Sequence, residues 1–223
     1  MRKDLTELVF ILDMSGSMGR LTEDTIGGYN TLIEDQKKEK GDALVTTVLF
    51  DDRYIVLHDR VPLKDVKPLT DKEYRPLGTT AMLDAVGKTI NSVGANLAKT
   101  PEEERAGTVM VTIITDGMEN ASKEYSWQDV QGMIKHQREK YSWIFSFIGA
   151  NIDVEKVSGD LGIDARLAKK YTASKAGTDS VYKAMSCTAS LVRGKRMEAD
   201  SFAPMAFDAM VDEASAKMDE ELQ

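Results

Sequence analysis

The chain has 223 residues, one cysteine, 29 Lys plus Arg against 37 Asp plus Glu, and a formal charge of -8. Such a length sustains one domain with a full core, burying about 70% of its unfolded surface. The acidic balance leaves no basic face for nucleic acid or anionic lipid, and one cysteine excludes an intrachain disulfide framework or a cysteine-built zinc cluster.

In chain order, the apolar run Leu8 to Leu12 predicts a buried strand. It is shorter than the roughly 7 to 15 residues of a signal-peptide core, and no small-residue cleavage site follows. Leu21, Thr25, Ile26, Tyr29, Leu32 and Ile33 then share one face of a helix. Ala43 to Phe50 predicts a second strand and Tyr54 to Leu57 a short edge strand. Residues 51 to 80, with Pro62, Pro68 and Pro76, read as a long connection holding one short helix at Asp71 to Tyr74. Met82, Val86, Ile90, Val93 and Leu97 trace the next helix, and Val109 to Thr115 a strand. Val130, Met133, Ile134 and Gln137 mark a helix, Trp143 to Ile148 a strand, and Val154, Val157 and Leu161 another helix. Lys170 to Ala173 is a weakly marked last strand. Val181, Met185, Thr188 and Val192 predict a closing helix, in which Cys187 reads as a small buried residue. His58 and His136 lack ligand-type spacing and are expected at surface or boundary positions.

Continuous apolar strands alternating with helices predict an α/β domain, doubly wound, with a mainly parallel sheet covered on both faces. No apolar run approaches the roughly 20 residues that span a bilayer, so the expected address is cytoplasmic. The domain is expected to cover 1-194, followed by an acidic tail over 195-223. Residues 198 to 223 hold eight acids and one base, and Phe207, Met210, Val211, Ala214, Met218 and Leu222 fall at helical spacing. Such an amphipathic segment suits docking on its own domain, trailing in solvent, or association with a partner or a second copy.

The chemistry concentrates at strand ends. The first strand ends in Asp13-Met14-Ser15-Gly16-Ser17, the later one in Thr115-Asp116-Gly117, and Gly78-Thr79-Thr80 opens the helix that begins near Ala81. In an open parallel sheet, ligands bind beyond the carboxyl ends of the strands where the winding reverses. Asp13, Ser15 and Ser17 at alternate positions can present three oxygens one way, and Gly16 permits the bend. Two carboxylates with several hydroxyls, and no thiolate or imidazole, suit Mg²⁺ or Mn²⁺. With few anionic ligands the ion keeps charge to attract an external carboxylate, helped by the N-terminal dipole of the helix after Ser17. Arg20, Glu119 and Asn120 flank this site as candidate partner contacts.

These three motifs together resemble the metal-ion-dependent adhesion site of von Willebrand factor A domains, over roughly residues 5 to 194. The resemblance implies a six-stranded sheet in the order 3-2-1-4-5-6 with strand 3 antiparallel. It also implies direct metal contacts from Ser15, Ser17 and a loop threonine, with Asp13 and Asp116 often acting through water. Thr80 fits the family position better than Thr79. The implied function is a non-enzymatic adaptor module whose metal captures an Asp or Glu of a partner protein, lost without damage to the fold when Asp13 or Ser15 becomes Ala. An alternative is a magnesium-dependent phosphotransferase of the haloacid dehalogenase type, which carries a second Asp two residues after the first; Ser15 stands there, so that acid is missing.

Overall fold

A computed structural model describes residues 1–194. The acidic amphipathic segment expected at the C-terminus lies outside the described residues. Six strands form one sheet in the order β3-β2-β1-β4-β5-β6. They are β1 (Arg2–Asp13), β2 (Asp42–Phe50), β3 (Tyr54–Pro62), β4 (Ala106–Thr115), β5 (Ile144–Gly149) and β6 (Ala168–Lys170). All pairings are parallel except β2 with β3. The helices are α1 (Thr22–Lys38), α2 (Met82–Lys99), α3 (Trp127–Tyr141), α4 (Val154–Asp160) and α5 (Lys175–Arg193). Helix α1 packs on α5 over one face of the sheet, and α2 on α3 over the other.

The periodic apolar positions became the core. Met82, Val86, Ile90, Val93 and Leu97 of α2 are all buried, as are Val181, Met185, Thr188 and Val192 of α5. Every residue of β1 from Leu5 onward is buried, because helices cover both of its faces. Its polar start is extended by pairing at the amino edge, where the Arg2 N–H donates to the Arg105 carbonyl at 2.7 Å.

Several expectations need correction. Strand β3 runs to Pro62 rather than Leu57, because irregular pairing with β2 accommodates the polar stretch His58-Asp59-Arg60, with Arg60 at φ +50°. The last strand covers Ala168–Lys170, ahead of the expected 170 to 173, although the Tyr171 N–H still donates to the Gly149 carbonyl. Asp71 to Tyr74 forms one hydrogen-bonded turn closed by Tyr74 N–H on the Thr70 carbonyl, not a helix. Cys187 is half-buried on α5. The long connection is not a loose loop: Leu63, Val66, Leu69 and Tyr74 are buried. The Asn30 side chain holds it at both polar groups of Leu69, at 2.8 and 2.9 Å.

His58 is buried as well, contrary to expectation. Its Nδ1 lies 3.1 Å from Thr47 Oγ1, which is 2.6 Å from the Tyr29 hydroxyl. Burial holds its pKa below the ordinary value. An unfolded chain takes up this proton near pH 6.5 while the folded one resists it, so stability falls as pH drops below about 6.5 toward the folded value. In a His58→Gln variant that part of the slope is expected to vanish. Urea midpoints at two pH values test this, and the same pH dependence in both proteins refutes it.

Candidate metal centre

Strand order places the reversal of winding between β1 and β4. Leu12 pairs with Ile114, so Asp13 and Thr115 leave the sheet side by side, and Thr115 Oγ1 donates to Asp13 Oδ2 at 2.5 Å. The other oxygen of Asp13 accepts the Ser15 N–H at 2.7 Å, a turn that Asp side chains favour. This sets Ser15 Oγ 3.1 Å from Ser17 Oγ. The Ser17 hydroxyl in turn donates to Asp116 Oδ1.

The third loop is tied to the first by its backbone. The Tyr74 hydroxyl donates to the Asp13 carbonyl at 2.6 Å. Leu77 N–H donates to the Met14 carbonyl at 2.9 Å, and Gly16 N–H to the Gly78 carbonyl at 3.2 Å. Gly78 has φ +75°, a conformation that favours glycine, and a side chain there would collide with Asp52. Beyond it, Thr80 N–H donates to Asn120 Oδ1 and Asn120 N–H to the Thr80 carbonyl, both at 3.0 Å. Thr80 is thereby turned inward and buried, whereas Thr79 is exposed.

Gly117 shows how closely the loops meet. A Cβ built on it would lie 3.1 Å from Thr80 Oγ1, 3.3 Å from Ser17 Oγ and 3.8 Å from Asp13 Oδ2. Oxygens from separate loops therefore border one small space, which stays open because residue 117 has no side chain. Asp13, Ser15, Ser17, Thr80 and Asp116 lie together at this rim.

The electrostatics leave that space short of positive charge. Asp13 and Asp116 are both buried. Asp116 Oδ2 has no hydrogen-bond partner, and its nearest cation, the exposed Arg20 guanidinium, is 3.8 Å away. Burial pushes the Asp13 carboxyl up to about 6, against the pull of its Thr115 and Ser15 hydrogen bonds and with the Asp116 charge adding to the rise. Tyr171 is raised by burial and by the same two carboxylates. Two buried carboxylates with one orphaned oxygen, bordered by hydroxyls, fit a hard divalent cation. Among the described residues no group of three or more His, Cys, Asp and Glu is placed to hold a metal; the oxygens that border this space come from carboxylates and hydroxyls together.

Of the flanking residues, Arg20 faces solvent beside Asp116, whereas Glu119 and Asn120 are engaged within the domain. Glu119 receives Leu83 N–H and Ser122 Oγ–H on one oxygen and Ala121 and Ser122 N–H on the other, at 2.8 to 2.9 Å. Asn120 uses its carbonyl to hold Thr80. No helix begins directly after Ser17: Gly16–Leu21 is a 3-10 turn, and α1 starts at Thr22. Asp13 is also wholly buried and bonded to Ser15 and Thr115, so Asp13→Ala would disturb more than the metal. The hydroxyl anchor of Tyr74 and the open space at Gly117, a residue the motif already contains, exist only once the loops are assembled.

No protein-family model matches the chain, and no curated protein sequence matches it. Solved structures do. A von Willebrand factor type A protein from Catenulispora acidiphila is 13% identical with a TM-score of 0.53, covering 81% of this chain and 42% of that one. The chain has the von Willebrand factor type A fold. Proximal thread matrix protein 1 from the mussel byssus shares this A fold at 15% identity and a TM-score of 0.58, over 86% of this chain and 47% of its own. A second structure of it, 17% identical with a TM-score of 0.57 over 83% and 46%, has a zinc-occupied MIDAS motif, the metal-ion-dependent adhesion site. The pilus adhesin SpaC from Lactobacillus rhamnosus GG matches the A fold at 12% and 0.58, over 85% of this chain and 30% of that one. This chain spans less than half the length of each of these structures.

Proposed function

We propose that the domain is a divalent-metal-dependent protein-interaction module, in which Mg²⁺ or Mn²⁺ at the β1/β4 rim captures an Asp or Glu side chain of a partner protein. The observation that carries this reading is the space beside Gly117, bordered by Thr80, Ser17 and Asp13 oxygens, with the Ser17 hydroxyl bonded to buried Asp116, whose other oxygen has no hydrogen-bond partner. Ser15, Ser17 and Thr80 would hold the ion directly, with Asp13 and Asp116 acting through water. A bound cation supplies positive charge and one unfilled coordination position. Hydroxyl-rich ligation leaves that charge incompletely neutralised, which is what draws an external carboxylate.

The zinc-occupied adhesion motif of the mussel protein and the adhesin and matrix character of the structural neighbours support a binding role. Arg20, exposed beside Asp116, would meet a partner's second carboxylate oxygen. A phosphotransferase would need a proton-donating acid near the first aspartate, and position 15 offers a hydroxyl. No described helix is long and apolar enough to cross a membrane.

Ser15→Ala is the clean test, because Ser15 donates only its hydroxyl to the site while its N–H bond to Asp13 survives. Mn²⁺ affinity, read by electron paramagnetic resonance, is expected to fall about 10- to 100-fold. Proteins retained from a host lysate by the wild type in Mg²⁺ are expected to be lost in EDTA and with Ser15→Ala. An unchanged set of retained proteins under all three conditions refutes the capture reading.

A further inference from the structure

At the pole opposite the metal rim, a cavity of about 910 Å³ opens between the amino ends of the strands and the C-terminal end of α5. Its apolar lining includes Leu5, Leu44 and Leu63. Cations outnumber acids around it, and they fall into two groups. Arg2, Lys37 and Arg60 are already paired, with Asp4 and Asp42, Glu34 and Glu7 respectively. Lys64, Lys99 and Arg193 form no ion pair with any described carboxylate.

Arg193 is the most telling of them. It is half-buried, donates to the Gln36 and Gly41 carbonyls, and keeps an Nε buried without a partner. Burial lowers its pKa, against the opposing pull of the Glu39 and Asp42 carboxylates. It is also the last residue of α5, so the chain leaves the described domain from the lip of this cavity at Gly194 and continues to Gln223.

We infer that the acidic segment 198–223 of the same chain docks in this cavity, its apolar residues on the leucine-lined floor and its carboxylates on Lys64, Lys99 and Arg193. Charge is complementary, since the segment holds eight acids and one base against unpaired cations. Pattern is complementary too: apolar residues at helical spacing beside acids match an apolar floor with a basic rim. Reach is sufficient, because the four residue steps from Gly194 to Glu198 span up to about 14 Å when extended, and tethering gives a high effective concentration. This inference does not depend on the metal reading. If that reading also holds, docking here keeps eight carboxylates away from a site that would bind them.

The test uses the full chain. Carbodiimide, which joins amines to carboxylates in contact, is expected to link Lys64 and Lys99 to acids within 198–223 inside one molecule. A glutamate-specific protease is expected to cut that segment at least 10-fold more slowly in the wild type than in the Lys64→Glu/Lys99→Glu double variant. Salt at about 0.5 M should abolish the difference by screening, an arm that needs no variant. EDTA should leave the protection unchanged. Equal cleavage in both proteins overturns the inference, as does protection that disappears in EDTA, which would place the segment at the metal rim. Links that join differently labelled copies overturn it in favour of a second chain's segment.

Discussion

Substituting alanine for Gly117 is expected to weaken Mg²⁺ and Mn²⁺ binding about 100-fold or more while the domain keeps its fold. The added methyl would stand 3.1 Å from Thr80 Oγ1 and 3.3 Å from Ser17 Oγ. Those distances are tight but tolerable for a carbon, so the loops need shift by only a few tenths of an ångström. They are intolerable for an ion that must reach the same oxygens at about 2.0 to 2.1 Å with near-octahedral geometry. Gly117 has neither a positive φ nor a contact with the core that would make alanine unfold the domain. The loss should exceed that of Ser15→Ala, because deleting one ligand leaves the space open whereas the methyl fills it. Calorimetric titration with Mg²⁺ measures the affinity, and a thermal melt without metal checks the fold. Wild-type affinity in a folded Gly117→Ala protein would show that the ion does not sit among these oxygens.

The contrast between Gly117 and its neighbours shows what a sequence can disclose. Asp13, Ser15, Ser17 and Asp116 were visible because each follows an apolar run that could only be a buried strand, and the end of such a strand is where ligands bind. Likewise α2 and α5 announced themselves by apolar steps of three and four, and those residues are buried. The segment from Leu63 to Tyr74 was opaque, since its buried residues follow no period and its anchors are a distant side chain, Asn30, and a distant carbonyl, that of Asp13. His58 misled for a similar reason: a polar residue in a polar stretch gives no sign that Thr47 and Tyr29 wait to bond it. β6 has only three residues and an edge position, so tertiary pairing rather than local pattern defines it. Thr80 became separable from Thr79 only when Asn120 showed which one is drawn inward.

Glu119 carries the second large expected effect, and it concerns stability. Glu119→Ala is expected to cost about 2 to 4 kcal/mol, because three backbone N–H groups and one hydroxyl lose a charged acceptor. One of those groups, the Leu83 N–H, lies in the first turn of α2, where no intrahelical partner exists. The carboxylate also sits favourably at the positive end of that helix. The clasp is reciprocal, since the Asp84 carboxylate accepts the N–H groups of Lys123, Glu124 and Tyr125 at 2.9 to 3.0 Å. Losing one half should loosen the other, and the melting temperature should fall by about 5 to 15 °C for a domain of this size. Glu119→Gln, which keeps one acceptor oxygen, should fall between the variant and the wild type. The clasp also flanks the Asn120 bond that turns Thr80 inward, so metal affinity should drop as well, though less than in Gly117→Ala. Scanning calorimetry on both variants separates this from the role the sequence suggests. Were Glu119 a partner contact alone, Glu119→Ala would melt with the wild type and lose only partner capture.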